Sequence, residues 1–201
     1  MTLRIGAIPP VIPAIRKPDD WQTVEAGGGL ASRSTSPKWA FVMGGSLDAV
    51  AEATGLLQRR GRMVFVHVDM VRGLALDGEG LRFFHDFVAP SGIISTHSAV
   101  IGHAKRLGLF TVQRIFLLDS QSVLTGIQQA QSTHPDVVET LPGILPEVTR
   151  QVVRQVPCPV IAGGLITSQA EIAMMRQAGV QGISTTHSEL WPLEGRVGLG
   201  R

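Results

Sequence analysis

From residue 39 onward two textures alternate along the chain. Short apolar runs rich in β-branched residues occupy Trp39–Gly45, Met63–Met70, Gly92–His97, Phe110–Ile115, Val137–Leu141, Pro159–Ile166 and Gln181–Thr186. Between them lie Leu47–Arg60, Glu79–Ala89, Ser98–Leu107, Ser120–Thr133, Leu145–Val156 and Ser168–Ala178, whose apolar residues recur at helical spacing, as in Ile172, Met175 and Ala178. The first set predicts strands and the second helices. Gly61, Gly108 and Gly179 follow helix ends, where a left-handed cap is wanted. Ser98, Ser120 and Ser168 stand where an N-cap hydroxyl accepts the first free backbone N–H groups. An eighth strand is expected at Val11–Arg16, followed by a short helix that Pro18 and Asp19 begin.

The predicted strands are nearly continuous apolar runs, which implies burial on both faces and a parallel sheet. Alternation of such strands with helices gives an α/β fold. Eight units of this kind predict a TIM-type (β/α)8 barrel of eight parallel strands, with a doubly wound open sheet as the structural alternative. At 201 residues the barrel must be compact, because about 250 is usual and about 200 is the lower end. A single domain is expected over residues 1–201. Ala26–Lys38, with three glycines and four Ser/Thr, reads as a loop, and residues 192–201 read as a frayed tail.

Composition narrows the class. Hydrophobic residues make up 44% and charged residues 17%, the balance of a chain that folds around a core. The formal net charge of +2 is too small for a polybasic surface, so any contact with a polyanion must be local. The single cysteine, Cys158, excludes an internal disulfide and a multi-cysteine zinc cluster; lying between two prolines, it reads as a packing residue. No apolar run approaches the ~18–20 residues of a membrane span. Pro9, Pro10 and Pro13 interrupt the start, where a secretory signal needs an unbroken apolar stretch. A cytoplasmic protein with no membrane partner is expected. No cofactor or metal is expected either, and a homo-oligomer stays an open option.

In such a barrel, function gathers at the C-terminal ends of the strands. The last three ends offer Gly143, then Gly163 and Gly164, then Ser184 and Thr185, with a short helix expected at Ser188–Trp191. Glycine lets a backbone N–H approach a ligand closely, and the hydroxyls add donors. Strands seven and eight with a small extra helix are where this fold usually holds phosphate. Tight-turn geometry alone would also account for the glycines. Across the mouth, Arg16, Asp69, Arg114 and Glu139 form a mixed-charge set. They fit either a structural ring of ion pairs or a polyol site in which carboxylates accept from hydroxyls and arginines assist the anion. His67 and Asp69, two apart on one predicted strand, share a face. With Glu139 they make only a weak metal pattern. His97 and His187 read as loop histidines.

At these residues the chain resembles the glycerol-3-phosphate-responsive antiterminator family. The resemblance runs from Pro13 to Trp191. It rests on PAIR at Pro13–Arg16, VFVHVDMVRGL at Val64–Leu74, GIIST at Gly92–Thr96 and VQRIFLLDS at Val112–Ser120. It continues with VETLPGILPEV at Val138–Val148, PVIAGGLI at Pro159–Ile166, GIST at Gly182–Thr185 and the closing Leu190–Trp191. The resemblance implies a TIM-like barrel that senses glycerol 3-phosphate and acts on leader mRNA to prevent early termination. Three features depart from the family pattern. His97 stands where a basic residue usually follows GIIST, the second strand ends in Met43–Gly44–Gly45–Ser46 rather than an acidic turn, and the Ala26–Lys38 loop is long.

RNA recognition is not visible in the composition. There is no tyrosine and aromatics are 5%, so a base-stacking platform is not expected. Basic residues cluster at Arg59, Arg60 and Arg62, and at Arg150 with Arg154, which are the candidate RNA contacts; solvated helix ends are the plainer reading. Two competing functions share the scaffold. One is an enzyme on a small sugar or polyol phosphate, a lyase, isomerase or transferase using Asp69 and Glu139 as acid and base. The other is a sensor that acts through a protein partner. Lys17, Lys38 and Lys105 end no clear strand, which argues against Schiff-base chemistry.

Overall fold

The computed structural model describes residues 7–16 and 38–191. The expected helix at Pro18, nearly all of the Ala26–Lys38 loop and the 192–201 tail lie outside the described residues.

Eight parallel strands close into a barrel. They are β1 (Val11–Ile15), β2 (Lys38–Val42), β3 (Arg62–His67), β4 (Gly92–Ser95), β5 (Phe110–Phe116), β6 (Val137–Leu141), β7 (Val160–Gly163) and β8 (Gly182–Thr185). Neighbours in sequence are neighbours in space, and β1 closes the ring on β8 with Ile12 opposite Ser184. Closure leaves no sheet edge open to other chains. Helices α1 (Leu47–Arg59), α2 (Gly78–Val88), α3 (Ser98–Arg106), α4 (Ser120–Thr133), α5 (Pro146–Gln155) and α6 (Gln169–Gln177) follow β2 to β7 in turn. The closed ring decides against the open doubly wound sheet.

Alternation along each strand sorts the core into layers. Inside the barrel, Trp39, Phe41, Phe65 and Phe110 pack ring against ring, with Trp39 and Phe65 centroids 4.5 Å apart. Together with Ile12, Val112, Val137 and Ile161 they plug the barrel towards the strand starts. Outward-facing side chains pack under the helices in two further clusters, one including Leu57, Phe84 and Ile101, the other Ile127, Val152 and Met175. Towards the strand ends the interior turns polar, with His67, Arg114, Glu139 and Ser184 all buried.

Several local readings are corrected. The run Met63–Met70 is not one strand: β3 stops at His67, and Val68–Met70 form a 3₁₀ turn that carries Asp69. An apolar run cannot reveal that turn, which is held by hydrogen bonds from the neighbouring β4 end. Ser168 is an N-cap, and with Glu171 it forms a capping box. The caps of α4 and α3, however, are Asp119 and His97, each one residue before the expected serine. Gly61, Gly108 and Gly179 do take left-handed conformations. A small two-stranded ladder, Gly45–Ser46 beside Val71–Arg72, has no counterpart in the hydrophobic pattern.

Candidate functional site

A cavity of about 630 Å³ opens at the C-terminal mouth. Its walls include Arg16, Arg114, Glu139, Gly164, Ser184 and Thr185, drawn from β1, β5, β6, β8 and the β7 loop. Residues scattered from 16 to 185 converge there because each faces inward from the middle or C-terminal part of a barrel strand or follows a strand's end.

The floor is a charged pair under a hydroxyl. Glu139 is fully buried, and its Oε2 accepts from Arg114 Nε at 2.9 Å and Nη2 at 2.7 Å. Its Oε1 accepts from Ser184 Oγ at 2.5 Å. Register explains the meeting: Arg114 is paired with Glu139 across β5 and β6, and both face inward. Gly163 makes the third approach possible, since a Cβ there would overlap Ser184 Oγ and sit 2.7 Å from Glu139 Oε1. Each carboxylate oxygen thus accepts from at least one protein donor. Arg114 retains Nη1, which has no partner among the described residues.

His67 lies on the same interior face as Phe65 and is only 3% exposed. Its Nδ1 is enclosed and has no hydrogen-bond partner among the described residues. Burial first, then the Arg114 charge, pushes the imidazole down to about 4, so it is neutral at physiological pH. Asp69 stands apart from the cavity wall. It accepts from Ser95 Oγ at 2.6 Å, Thr96 N at 2.7 Å and Thr96 Oγ1 at 2.8 Å. Burial alone would raise its carboxyl, but these bonds and nearby His67 hold it below its ordinary value. Asp69 therefore ties the β3 turn to the β4 end, and its placement does not join it to Glu139.

The five expected phosphate positions divide. Gly164 lines the cavity in a left-handed conformation (φ +76°), and its N–H has no acceptor among the described residues. Ser184 and Thr185 also line it, yet their hydroxyls are engaged: Ser184 with Glu139, and Thr185 Oγ1 donating to Ile166 O at 3.0 Å while accepting from His187 N at 3.1 Å. Trp191 Nε1 donates to Thr185 O at 2.8 Å and pins the 3₁₀ turn Ser188–Leu190 over the β8 end. Gly143 and Gly163 are packing glycines behind the wall. The Gly143 N–H donates to Gly164 O at 3.0 Å, and a Cβ on Gly143 would reach 2.6 Å from Ile166 Cδ1.

Sequence reasoning misses several lining residues: Met43, Met70, Leu165, Thr167 and His187. It offers His67 only as a weak metal ligand. The alternation Phe65–His67 within an apolar strand is the signal that its ring is interior.

The candidate RNA contacts do not form one surface. Arg59 and Arg60 are exposed at the exit of α1, and Arg62 begins β3, all at the barrel end opposite the mouth. Arg150 and Arg154 lie on α5, and Arg150 pairs with Glu147 at 2.5 Å. Helix α1 follows β2 and α5 follows β6, half a turn apart in a ring of eight. The Cys158 thiol is raised to about 11, by burial first and Asp136 second, as befits a packing residue.

Comparison with known proteins bears on this mouth. A family profile described as glycerol-3-phosphate responsive antiterminator matches residues 11–191. The glycerol uptake operon antiterminator regulatory protein of Listeria monocytogenes superposes with a TM-score of 0.82 at 28% identity, covering 92% of this chain and 98% of that one. A glycerol uptake operon antiterminator-related protein of Thermotoga maritima gives 0.75 at 30% identity, covering 90% and 97%. The uncharacterized protein YgcP of Escherichia coli K12 is 30% identical over 152 residues, 76% of this chain and 80% of that protein. Aldolases such as the deoxyribose phosphate aldolase of Aeropyrum pernix, at 15% identity and a TM-score of 0.63, share the barrel fold alone. With its profile matched across the whole described barrel, the chain belongs to the family of glycerol-3-phosphate-responsive antiterminators.

Proposed function

We propose that the mouth cavity binds glycerol 3-phosphate and that the liganded barrel promotes transcription through leader mRNA of glycerol-utilisation genes, a cytoplasmic role. The observation that carries this reading is the family match over residues 11–191 together with a mouth able to take a phosphorylated polyol. The Gly164 N–H, with Ser184 and Thr185 beside it, is the proposed phosphate wall. Arg16 and Arg114 supply positive charge across the opening.

The arrangement favours sensing over turnover. An acid–base pair needs carboxylates free to exchange protons with a substrate. Glu139 is held by Arg114 and Ser184, and Asp69 by Ser95 and Thr96. Among the described residues, no helix is long and apolar enough to cross a membrane.

A thermal-shift panel tests the reading. Glycerol 3-phosphate should raise the melting temperature with no product formed, and glycerol alone should not. Gly164→Val should abolish the shift, because the side chain crowds the anion's space; its φ of +76° also predicts a lower melting temperature for the free variant. Turnover of a sugar phosphate would favour the enzyme reading instead.

A further inference from the structure

Helix α2 carries an aromatic pair that the barrel does not use. Phe83 and Phe87 are 54% and 53% exposed, and their rings stack with centroids 5.4 Å apart and planes 12° from parallel. Phe84 is fully buried in the core beneath the helix, so docking α2 onto the barrel requires neither exposed ring. Glu79, Arg82, Phe83, Asp86 and Phe87 are all exposed. They recur at i, i+3, i+4, i+7 and i+8, which makes one outward stripe along the helix. None of them lines the mouth cavity.

An exposed apolar spot rimmed by charge marks a docking surface, and the charges select the occupant. Two acids and one base disfavour a polyanion such as RNA. Arg82 has no ion-pair partner among the described residues. Asp86 meets His85 Nδ1 at 2.7 Å, yet its side chain stays exposed. The stripe is complementary to itself. At 100° per residue, Arg82 and Asp86 run along one edge and Phe83 and Phe87 along the other. A two-fold axis between residues 84 and 85 packs α2 antiparallel against a second copy and sets matching edges face to face. Residue 82 of each copy then comes level with residue 86 of the other, and residue 83 with residue 87, to within about 1.5 Å, one residue's rise. Arg82 meets Asp86 twice, and the phenyl pairs join into a cluster of four rings.

We propose that α2 is a self-recognition surface through which two copies of this chain associate, with Arg82–Asp86 contacts on one edge and stacked phenylalanines on the other. The surface lies outside the ligand cavity, so it stands or falls independently of what the mouth binds. It also has a consequence for the assembly. Helix α2 runs from the mouth end to the strand-start end, and there Gln58 Nε2 donates to Ala89 O at 2.8 Å, which holds the exit of α1 beside the exit of α2. Antiparallel pairing therefore points the two mouths in opposite directions and brings the Arg59 end of each copy towards the mouth end of the other.

Sedimentation velocity from micromolar to submillimolar chain concentration tests it. A single helix pair is a small interface, so the wild-type chain should pass from monomer to dimer within that range. Phe83→Ser combined with Phe87→Ser should stay monomeric, and because both rings are exposed its melting temperature should stay close to wild type. Arg82→Asp sets like charges against each other at both contacts, and so does Asp86→Arg; each alone should weaken association by about tenfold or more. An equimolar mixture of these two variants regains both opposite-charge contacts and should dimerise about as well as wild type. A contact within one helix cannot give that rescue, since each variant keeps its own like charges. A wild-type chain that stays monomeric throughout overturns the proposal. So does a dimer that survives in the double phenylalanine variant, or a mixture that associates no better than its components.

Discussion

At the scale of single residues the mouth is governed by the cost of burying charge. Glu139 and Arg114 are both buried, and each is tolerated because the other is there. Glu139→Gln leaves the guanidinium uncompensated, so a loss of about 3–5 kcal/mol in denaturant unfolding is expected. His67 makes stability depend on pH. Its folded pKa of about 4 lies below the ordinary 6.5, so between those values the unfolded chain binds the extra proton. Stability from this residue is therefore complete above pH 6.5 and declines as pH falls towards 4, by at most about 3 kcal/mol. Urea midpoints measured from pH 7 to pH 4 should fall more steeply for the wild-type chain than for His67→Gln; parallel curves would contradict the assignment. Leu165 is the residue here whose conformation lacks a glycine's licence. It holds φ +63° at 65% exposure in the cavity wall beside Gly164. Asparagine tolerates that region better, so Leu165→Asn should leave thermal stability unchanged or raise it.

At the scale of elements, caps and turns set where each strand end points. The α6 capping box, in which Ser168 Oγ accepts from Glu171 N and the Glu171 carboxylate accepts from Ser168 N at 2.9 Å, fixes the helix start after the Gly164 loop. Ser168→Ala should cost about 1 kcal/mol of stability and loosen that loop, seen as faster amide exchange at Gly164–Thr167. Helix and strand periods in the sequence place all six described helices to within a residue or two. Cap identity is less legible at Asp119 and His97. Serine, aspartate and a backbone-only cap all suit an N-terminus, and the choice depends on how the preceding loop leaves the barrel. The Asp69 turn is illegible for a related reason: its hydrogen-bond donors, Ser95 and Thr96, come from a strand 26 and 27 residues away.

At the scale of the whole molecule, the barrel separates the ligand mouth from the strand-start end. Arg59, Arg60 and Arg62 lie at that far end and Arg150 and Arg154 on the opposite flank, so one RNA strand held locally should use one cluster and not both. If Arg59 grips the RNA backbone, Arg59→Ala should weaken leader RNA binding and lower the salt slope by about 0.7 for each phosphate that the arginine neutralises, while Arg154→Ala leaves both unchanged. Filter binding at several salt concentrations, with and without glycerol 3-phosphate, measures this. A ligand effect on RNA affinity requires differential affinity for two states of the barrel. Insensitivity to both salt and ligand would point to a protein partner instead.

The sequence by itself determined the α/β class: apolar runs alternating with helical periods require parallel strands buried on both faces, which a barrel and a doubly wound sheet both satisfy, and the pairing of β1 with β8 decided for the barrel. It also determined which strand ends carry polar residues, and therefore where the mouth lies. Only the tertiary structure decided what those residues do. Register set Arg114 against Glu139, and a missing Cβ at Gly163 admitted Ser184 to the same carboxylate. Together they give the Glu139 carboxylate protein partners on both oxygens while it still lines the cavity. Likewise, the split of Asp69 from His67 at the β3 end left an imidazole nitrogen without a partner among the described residues, which no spacing along the chain could disclose. Hydrogen-bond partners are chosen in space, among residues brought together by closure, and linear order constrains that choice only weakly.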